Sequence, residues 1–121
     1  MVLVVEDDPE IREILVDELS SEGFDVMPAE HGEAALRALS SALPAVIVTD
    51  LMMPRMDGRT LISQLRRIPE FARVPVIVVT ASSVLHVPGA NLVFRKPFEL
   101  AELMEAVSRF ADSSEGASPH A

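Results

Sequence analysis

Glu6, Asp7, Asp50, Thr80 and Lys96 are the residues of this chain whose types can do chemistry together. Carboxylates gathered at one place repel, and each resists ionisation without a compensating cation. A hard divalent ion resolves that conflict. One or two carboxylates, a carbonyl oxygen and several waters describe a Mg²⁺ site. Mg²⁺ also neutralises the oxygens of a transferring phosphoryl group. A neighbouring ammonium and a hydroxyl can take the remaining oxygens as donors. An aspartate then serves as the nucleophile and gives an acyl phosphate. The residues point to in-line phosphoryl transfer to a carboxylate, with Asp50 as acceptor.

This chemistry requires elements that bring the residues to one edge. Val2–Val5 is wholly apolar, as a strand buried on both faces should be. Asp8-Pro9 is an N-cap followed by a favoured first-turn residue. Ile11, Ile14, Leu15 and Leu19 then recur at helical spacing until Gly23. Phe24–Met27 reads as a second strand ended by Pro28, and His31–Ala42 as a second helix. Ala45–Thr49 reads as a third buried strand with Asp50 at its carboxyl end. A loop through Pro54 and Gly58 leads to a helix over Arg59–Ile68. Val76–Val79 is a fourth strand ending at Thr80, and Asn91–Phe94 a brief fifth ending before Lys96-Pro97. Glu99–Ala111 is the last helix, and the small polar stretch Asp112–Ala121 reads as a disordered tail or linker after a domain over 1–111. Strands alternating with helices imply a parallel sheet covered on both faces. Ligands of such sheets bind beyond the carboxyl ends of the strands. The candidate residues all fall at those ends.

Composition narrows the function class. The chain has 121 residues, enough for one domain, and 49% of them are apolar. It has no apolar run long enough to cross a bilayer, and the short apolar start meets Glu6-Asp7-Asp8 at once, unlike a secretory leader. There are no cysteines, so disulfides and thiolate metal sites are excluded; a cytoplasmic setting fits. A formal charge of −9 argues against direct nucleic-acid binding, which needs phosphate neutralisation, and favours protein partners or cations.

Four segments carry a family resemblance: Val2–Arg12 with Glu6-Asp7-Asp8, Val46–Gly58 with Asp50 and the following Met-Met-Pro, Val78–Ala81, and Arg95–Phe98. In this order they resemble the receiver domains of bacterial two-component response regulators, over about residues 1–110. The resemblance implies a flavodoxin-like α/β fold with a five-stranded parallel sheet in the order 2-1-3-4-5. It implies that Asp50 is the phosphorylation site. Asp7 and Asp50 would ligate Mg²⁺ directly with the main-chain carbonyl of Met52, and Glu6 would hold metal-bound water. Thr80 and Lys96 would contact the phosphoryl oxygens. The Lys96-Pro97 bond would be cis, aiming the lysine inward. The phosphoryl donor would be a histidine kinase or a histidine phosphotransfer protein.

The chain departs from the family pattern in two places. The aromatic switch residue normally lies three before the lysine; here that place is Val93, and Phe94 one position later faces the other side of its strand. Thr80 and Lys96 are also too close in sequence for a full fourth helix, which should be shortened or absent. The family's dimerisation face, built on that helix, cannot be assumed.

Each candidate has a plainer reading. The acids after Val5 could serve only to cap a helix, the main role expected of Asp8. Asp50 could cap a turn, Thr80 could simply end a β-branched strand, and Lys96, the chain's single lysine, could lie on the surface. Ser82 resembles a family position that tunes dephosphorylation, or is a loop serine. Met52, Met53 and Met56 suit packing better than soft-metal binding. His31, His86 and His120 lack ligand spacing and read as surface residues. A pseudo-receiver acting as a constitutive interaction module is the alternative function. A Mg²⁺ phosphohydrolase is disfavoured, because Met52 stands where a general acid would be needed.

Overall fold

The computed structural model of the protein describes residues 1–84 and 86–117. Its strands are β1 (Val2–Val5), β2 (Val26–Ala29), β3 (Val46–Asp50), β4 (Val76–Thr80) and β5 (Leu92–Arg95). All pair in parallel, in the order β2-β1-β3-β4-β5. The helices are α1 (Pro9–Ser21), α2 (Gly32–Leu39), α3 (Gly58–Arg66) and α4 (Leu100–Ala117), with a 3-10 turn at Pro69–Phe71. This is the flavodoxin-like doubly wound sheet expected from the sequence.

The alternation of side chains along each strand divides the core in two. Leu3, Val5, Ile47, Val76 and Val78 pack beneath α2 and α3, against Ala35, Leu39, Leu61, Ile62 and Leu65. Val2, Val4, Val46, Val48, Ile77 and Val79 face the other way, against Leu15 and Leu19 of α1 and Leu103, Met104 and Val107 of α4. β1, β3 and β4 are buried along their whole lengths. That is why they read as continuous apolar runs instead of alternating ones. Ile11 is only half-buried and Ile14 is 52% exposed, so the apolar stripe of α1 is wider than the face it buries.

Several element ends differ from the sequence reading, each for a local reason. β2 begins later than expected and runs through Pro28. The N–H groups of Val2 and Glu6 donate to the carbonyls of Asp25 and Ala29, so the odd-numbered residues of β2 turn their backbone groups toward β1. The N–H that Pro28 lacks would point to the free edge, where proline is tolerated. α2 is shorter than His31–Ala42. His31 is its N-cap, its Nδ1 accepting from Ala34 N at 3.1 Å, instead of a free surface histidine. The helix stops where Ser40 and Ser41 hydroxyls donate to the Arg37 and Ala38 carbonyls. α3 starts behind the N-cap Asp57 and ends before Ile68, which precedes Pro69 and is extended. α4 continues past Ala111 to Ala117, overtaking much of the stretch read as a tail; residues 118–121, with His120, lie outside the described residues.

Among the described residues no helix lies between β4 and β5, so the fourth helix of the family pattern is absent. Val87, 2% exposed, fills part of its place against the α2–α3 face. Arg66 ties this connection to the segment before β4: its guanidinium donates to the Gly89 carbonyl and to the carbonyls of Phe71, Ala72 and Val74. Val93 and Phe94 belong to opposite halves of the core, as their one-residue offset requires.

Candidate functional site

The expected residues meet at the carboxyl edge of the sheet. Register puts Asp50 opposite Val79 and Thr80 opposite Arg95, with Glu6 just beyond β1 and Lys96 just beyond β5. β1, β3, β4 and β5 therefore each deliver a polar residue where the ladder ends.

Glu6, Asp7 and Asp50 each offer a carboxylate oxygen within 4.8 Å of the other two. Glu6 is fully buried, Asp50 is buried and Asp7 is exposed. Lys96 Nζ donates to Glu6 Oε1 at 3.0 Å and to Asp50 Oδ2 at 3.2 Å. Asp50 Oδ1 accepts from the N–H groups of Leu51, at 2.7 Å, and Met52, at 3.4 Å. Glu6 Oε2 accepts from Asp8 N at 3.1 Å. Thr80 is fully buried, and its Oγ1 accepts from Ser82 N at 3.1 Å. That bond occupies the oxygen as acceptor and leaves the hydroxyl proton available to donate. Every buried side-chain nitrogen and oxygen among the described residues has a partner.

Burial dominates the electrostatics of Glu6 and pushes its carboxyl up to about 7. The bonds from Asp8 N and Lys96 oppose that rise, while the negative charge of Asp50 adds to it. Burial alone would depress the Lys96 ammonium, but its bond to Glu6 and the charges of Asp50 and Glu6 outweigh it, so the net direction is upward. Lys96 is a half-buried cation whose charge is offset by the two acids it bridges.

A cleft of about 530 Å³ opens beside this cluster, with Asp7, Met52, Asp57, Arg59, Ser82 and Val84 in its wall. Met52 is 65% exposed at its rim. A second, largely apolar groove of about 550 Å³ runs between α1 and the start of α4 and shares Lys96 with the cluster; Ile11, Ile14, Pro97 and Phe98 line it. The Lys96-Pro97 bond is cis, as the sequence resemblance implied. Asp8 is confirmed as the N-cap of α1, accepting from Glu10 and Ile11.

Sequence reasoning missed three supporting residues. Gly58 was legible only as a turn, yet an added Cβ there would stand 2.5 Å from the Asp50 carbonyl oxygen and 2.9 Å from Leu51 Cα. The loop that carries Met52 can close onto Asp50 only because Gly58 has no side chain. Arg12 was one more helical cation, yet its guanidinium donates to the Glu6 carbonyl at 2.8 Å. Arg66 also gave no signal, because an arginine that bonds to main-chain carbonyls needs no particular partner in the sequence.

Comparison with known proteins agrees with this geometry. The family model for the response regulator receiver domain matches residues 2–108. The chain is 37% identical to response regulator MprA of Mycolicibacterium vanbaalenii, over 96% of this chain and 53% of that protein. It is 44% identical to the sensor histidine kinase TmoS of Ectopseudomonas mendocina, over 66% of this chain and 8% of that protein. The chain thus spans about half of one relative and a small part of the other. Among solved structures, the receiver domain of Francisella response regulator 1452 superposes with a TM-score of 0.86 at 29% identity, covering 93% of this chain and 97% of that one. Response regulator TrrA of Thermotoga maritima, solved in complex with Mg²⁺-BeF, gives 0.81 at 32% identity, covering 90% and 96%. The chain belongs to the response regulator receiver domain family, the receivers of two-component signalling.

Proposed function

We propose that this chain is a phospho-acceptor switch in which Asp50 takes a phosphoryl group from a phosphohistidine on a histidine kinase or histidine phosphotransfer protein. The observation that carries the reading is the placement of Lys96 Nζ between Glu6 and Asp50 at the carboxyl edge of the sheet. In the transfer, an Asp50 carboxylate oxygen forms a bond to phosphorus as the phosphorus–nitrogen bond of the donor breaks, and the imidazole leaves with the electron pair of that bond. Lys96 and the free proton of the Thr80 hydroxyl receive the equatorial oxygens. Asp7, Asp50 and the Met52 carbonyl are the residues that would hold Mg²⁺, with Glu6 behind them through water. The donor set suits that ion: it is all oxygen and includes carboxylates that lie close together. Bound there, Mg²⁺ supplies charge neutralisation for the phosphoryl oxygens.

The domain so defined takes in residues 1–111, and α4 carries it on to Ala117. It catalyses its own phosphorylation and dephosphorylation and does not turn over an external substrate. No helix among the described residues is long and apolar enough to cross a membrane, and we place the protein in the cytoplasm with its donor. Val93 in place of an aromatic, together with the absent fourth helix, favours a second reading: a pseudo-receiver that binds a partner constitutively. One experiment separates the two. The protein is incubated with a small-molecule phosphoryl donor, with and without Mg²⁺, beside Asp50→Asn, and incorporation is read on a phosphate-affinity gel. Mg²⁺-dependent labelling that disappears in Asp50→Asn supports the switch. A folded wild-type protein that stays unlabelled with this donor and with a phosphorylated kinase supports the pseudo-receiver.

A further inference from the structure

Resting on that reading of the metal site, we propose that Arg12 is a positioning residue for Mg²⁺, acting through the main chain of Glu6. Arg12 lies in the first turns of α1, and its N–H donates to the Asp8 carbonyl at 2.9 Å. Its side chain folds back across the helix start and donates from Nη1 to the Glu6 carbonyl at 2.8 Å. Glu6 is thereby held at all of its polar groups. Its N–H goes to Ala29, its carbonyl accepts from Arg12, Oε1 from Lys96, and Oε2 from Asp8 N.

The Glu6 carbonyl belongs to the peptide unit that joins Glu6 to Asp7. Asp7 is exposed, so packing does little to aim its carboxylate. The direction of that carboxylate follows from the orientation of the peptide unit before it, and Arg12 fixes that orientation. A planar guanidinium carrying charge makes a stronger and better-directed bond to a carbonyl than a neutral donor does.

Positioning and simple electrostatics make opposite forecasts here. Arg12 is a cation near an acidic cluster, so by Coulomb repulsion alone its removal would tighten the binding of a divalent cation. If Arg12 acts by orienting the Glu6–Asp7 unit, its removal loosens that binding instead. The sign decides the matter.

The test is calorimetric titration of Mg²⁺ alone into the full chain, which has no Trp or Tyr to report by fluorescence. Wild type is compared with Arg12→Met, which keeps the stem and loses the donor, and Arg12→Lys, which keeps charge and a donor. Circular dichroism verifies that each variant is folded. Arg12→Met is expected to weaken Mg²⁺ binding about fivefold to tenfold, and Arg12→Lys to recover most of that loss. The difference should persist at high salt, where the direct charge effect is screened. Arg12→Met binding Mg²⁺ as tightly as wild type, or more tightly, overturns the role of Arg12 and leaves the site reading intact. A folded wild type that takes up no Mg²⁺ at millimolar concentration overturns both. If Arg12→Met proves unfolded, the Arg12→Lys and Arg12→Gln proteins decide. Equal affinity in these two, despite the charge removed in the glutamine variant, supports positioning by hydrogen bonding. Tighter binding by the glutamine variant counts against it.

Discussion

Lys96 Nζ donates to Glu6 Oε1 at 3.0 Å, joining residues 90 positions apart in the chain. Their strands are not neighbours: β3 and β4 stand between β1 and β5. The lysine therefore spans the carboxyl edge and meets Asp50 of β3 on the way, at 3.2 Å. Replacing it by methionine removes the chain's single lysine ammonium while keeping most of its stem. Labelling of Lys96→Met by a small phosphoryl donor at saturating Mg²⁺ should slow by about a hundredfold or more, the usual loss when one preorganised donor to a developing charge is removed. The Glu6 carboxyl, deprived of the bond that lowers it, should rise further above its present value near 7, as followed by carboxyl NMR. Wild-type labelling rates in this variant would exclude Lys96 from the transfer.

The raised Glu6 value has a definite sign for pH. Folded Glu6 keeps its proton up to about 7, while its ordinary value is 4.5. The stability it contributes in metal-free protein is complete below 4.5 and is lost as pH rises through about 7. Mg²⁺ favours the ionised form, so its binding should release protons near neutrality and tighten by about tenfold between pH 6 and pH 8. Titration calorimetry in buffers of different ionisation enthalpy measures both quantities. A flat affinity across that range, with no proton release, would contradict the elevated Glu6 value.

Gly58 is the most tightly confined of the glycines among the described residues. A Cβ there would meet the Asp50 carbonyl at 2.5 Å, and backbone atoms cannot move aside as a flexible side chain can. Gly58→Ala should cost roughly 1–3 kcal/mol of stability in urea unfolding, the range for overpacking. It should also slow phosphorylation in the fraction that stays folded, because Asp50 itself must shift. Unchanged stability and labelling would show that the loop relaxes freely.

The exposed Ile14 lies in the apolar groove that also contains Lys96. A protein donor that reaches Asp50 has this groove beside the reacting atoms. Ile14→Glu should slow phosphorylation by a cognate phosphohistidine protein at least tenfold, the effect of a charge placed in an apolar contact. The rate with a small-molecule donor should stay within about twofold of wild type, because such a donor needs no docking surface. Equal slowing with both donors would locate the defect in the site and not in the groove.

Much of the fold was legible in the chain because its cues are local. The runs Val2–Val5, Val46–Val48 and Val76–Val79 announce strands buried on both faces, and Asp8-Pro9 announces the start of α1. The ends of β2 and α2 were misjudged because the deciding bonds are made elsewhere. Pro28 is tolerated because β2 is an edge strand, and α2 stops at hydroxyl bonds from Ser40 and Ser41. α4 continues beyond Ala111, where the composition suggested a tail. Of the site, the acids, Thr80 and Lys96 could be found by their positions at strand ends. Gly58, Arg12 and Arg66 could not, since each acts on main-chain atoms and main-chain atoms are alike in every residue.

From the sequence it could be read that Glu6, Asp7, Asp50, Thr80 and Lys96 stand at the carboxyl ends of parallel strands, since side-chain type and hydrophobic period are properties of short segments. The sequence also determined that no aromatic occupies position 93 and that too few residues separate β4 from β5 for a full helix. Tertiary structure alone decided that Lys96 bridges Glu6 and Asp50, that burial lifts Glu6 toward neutrality, and that Arg12 holds the strand end from which Asp7 projects. Distances, desolvation and main-chain hydrogen bonds arise only when segments far apart in the chain are packed together, and no local pattern encodes them.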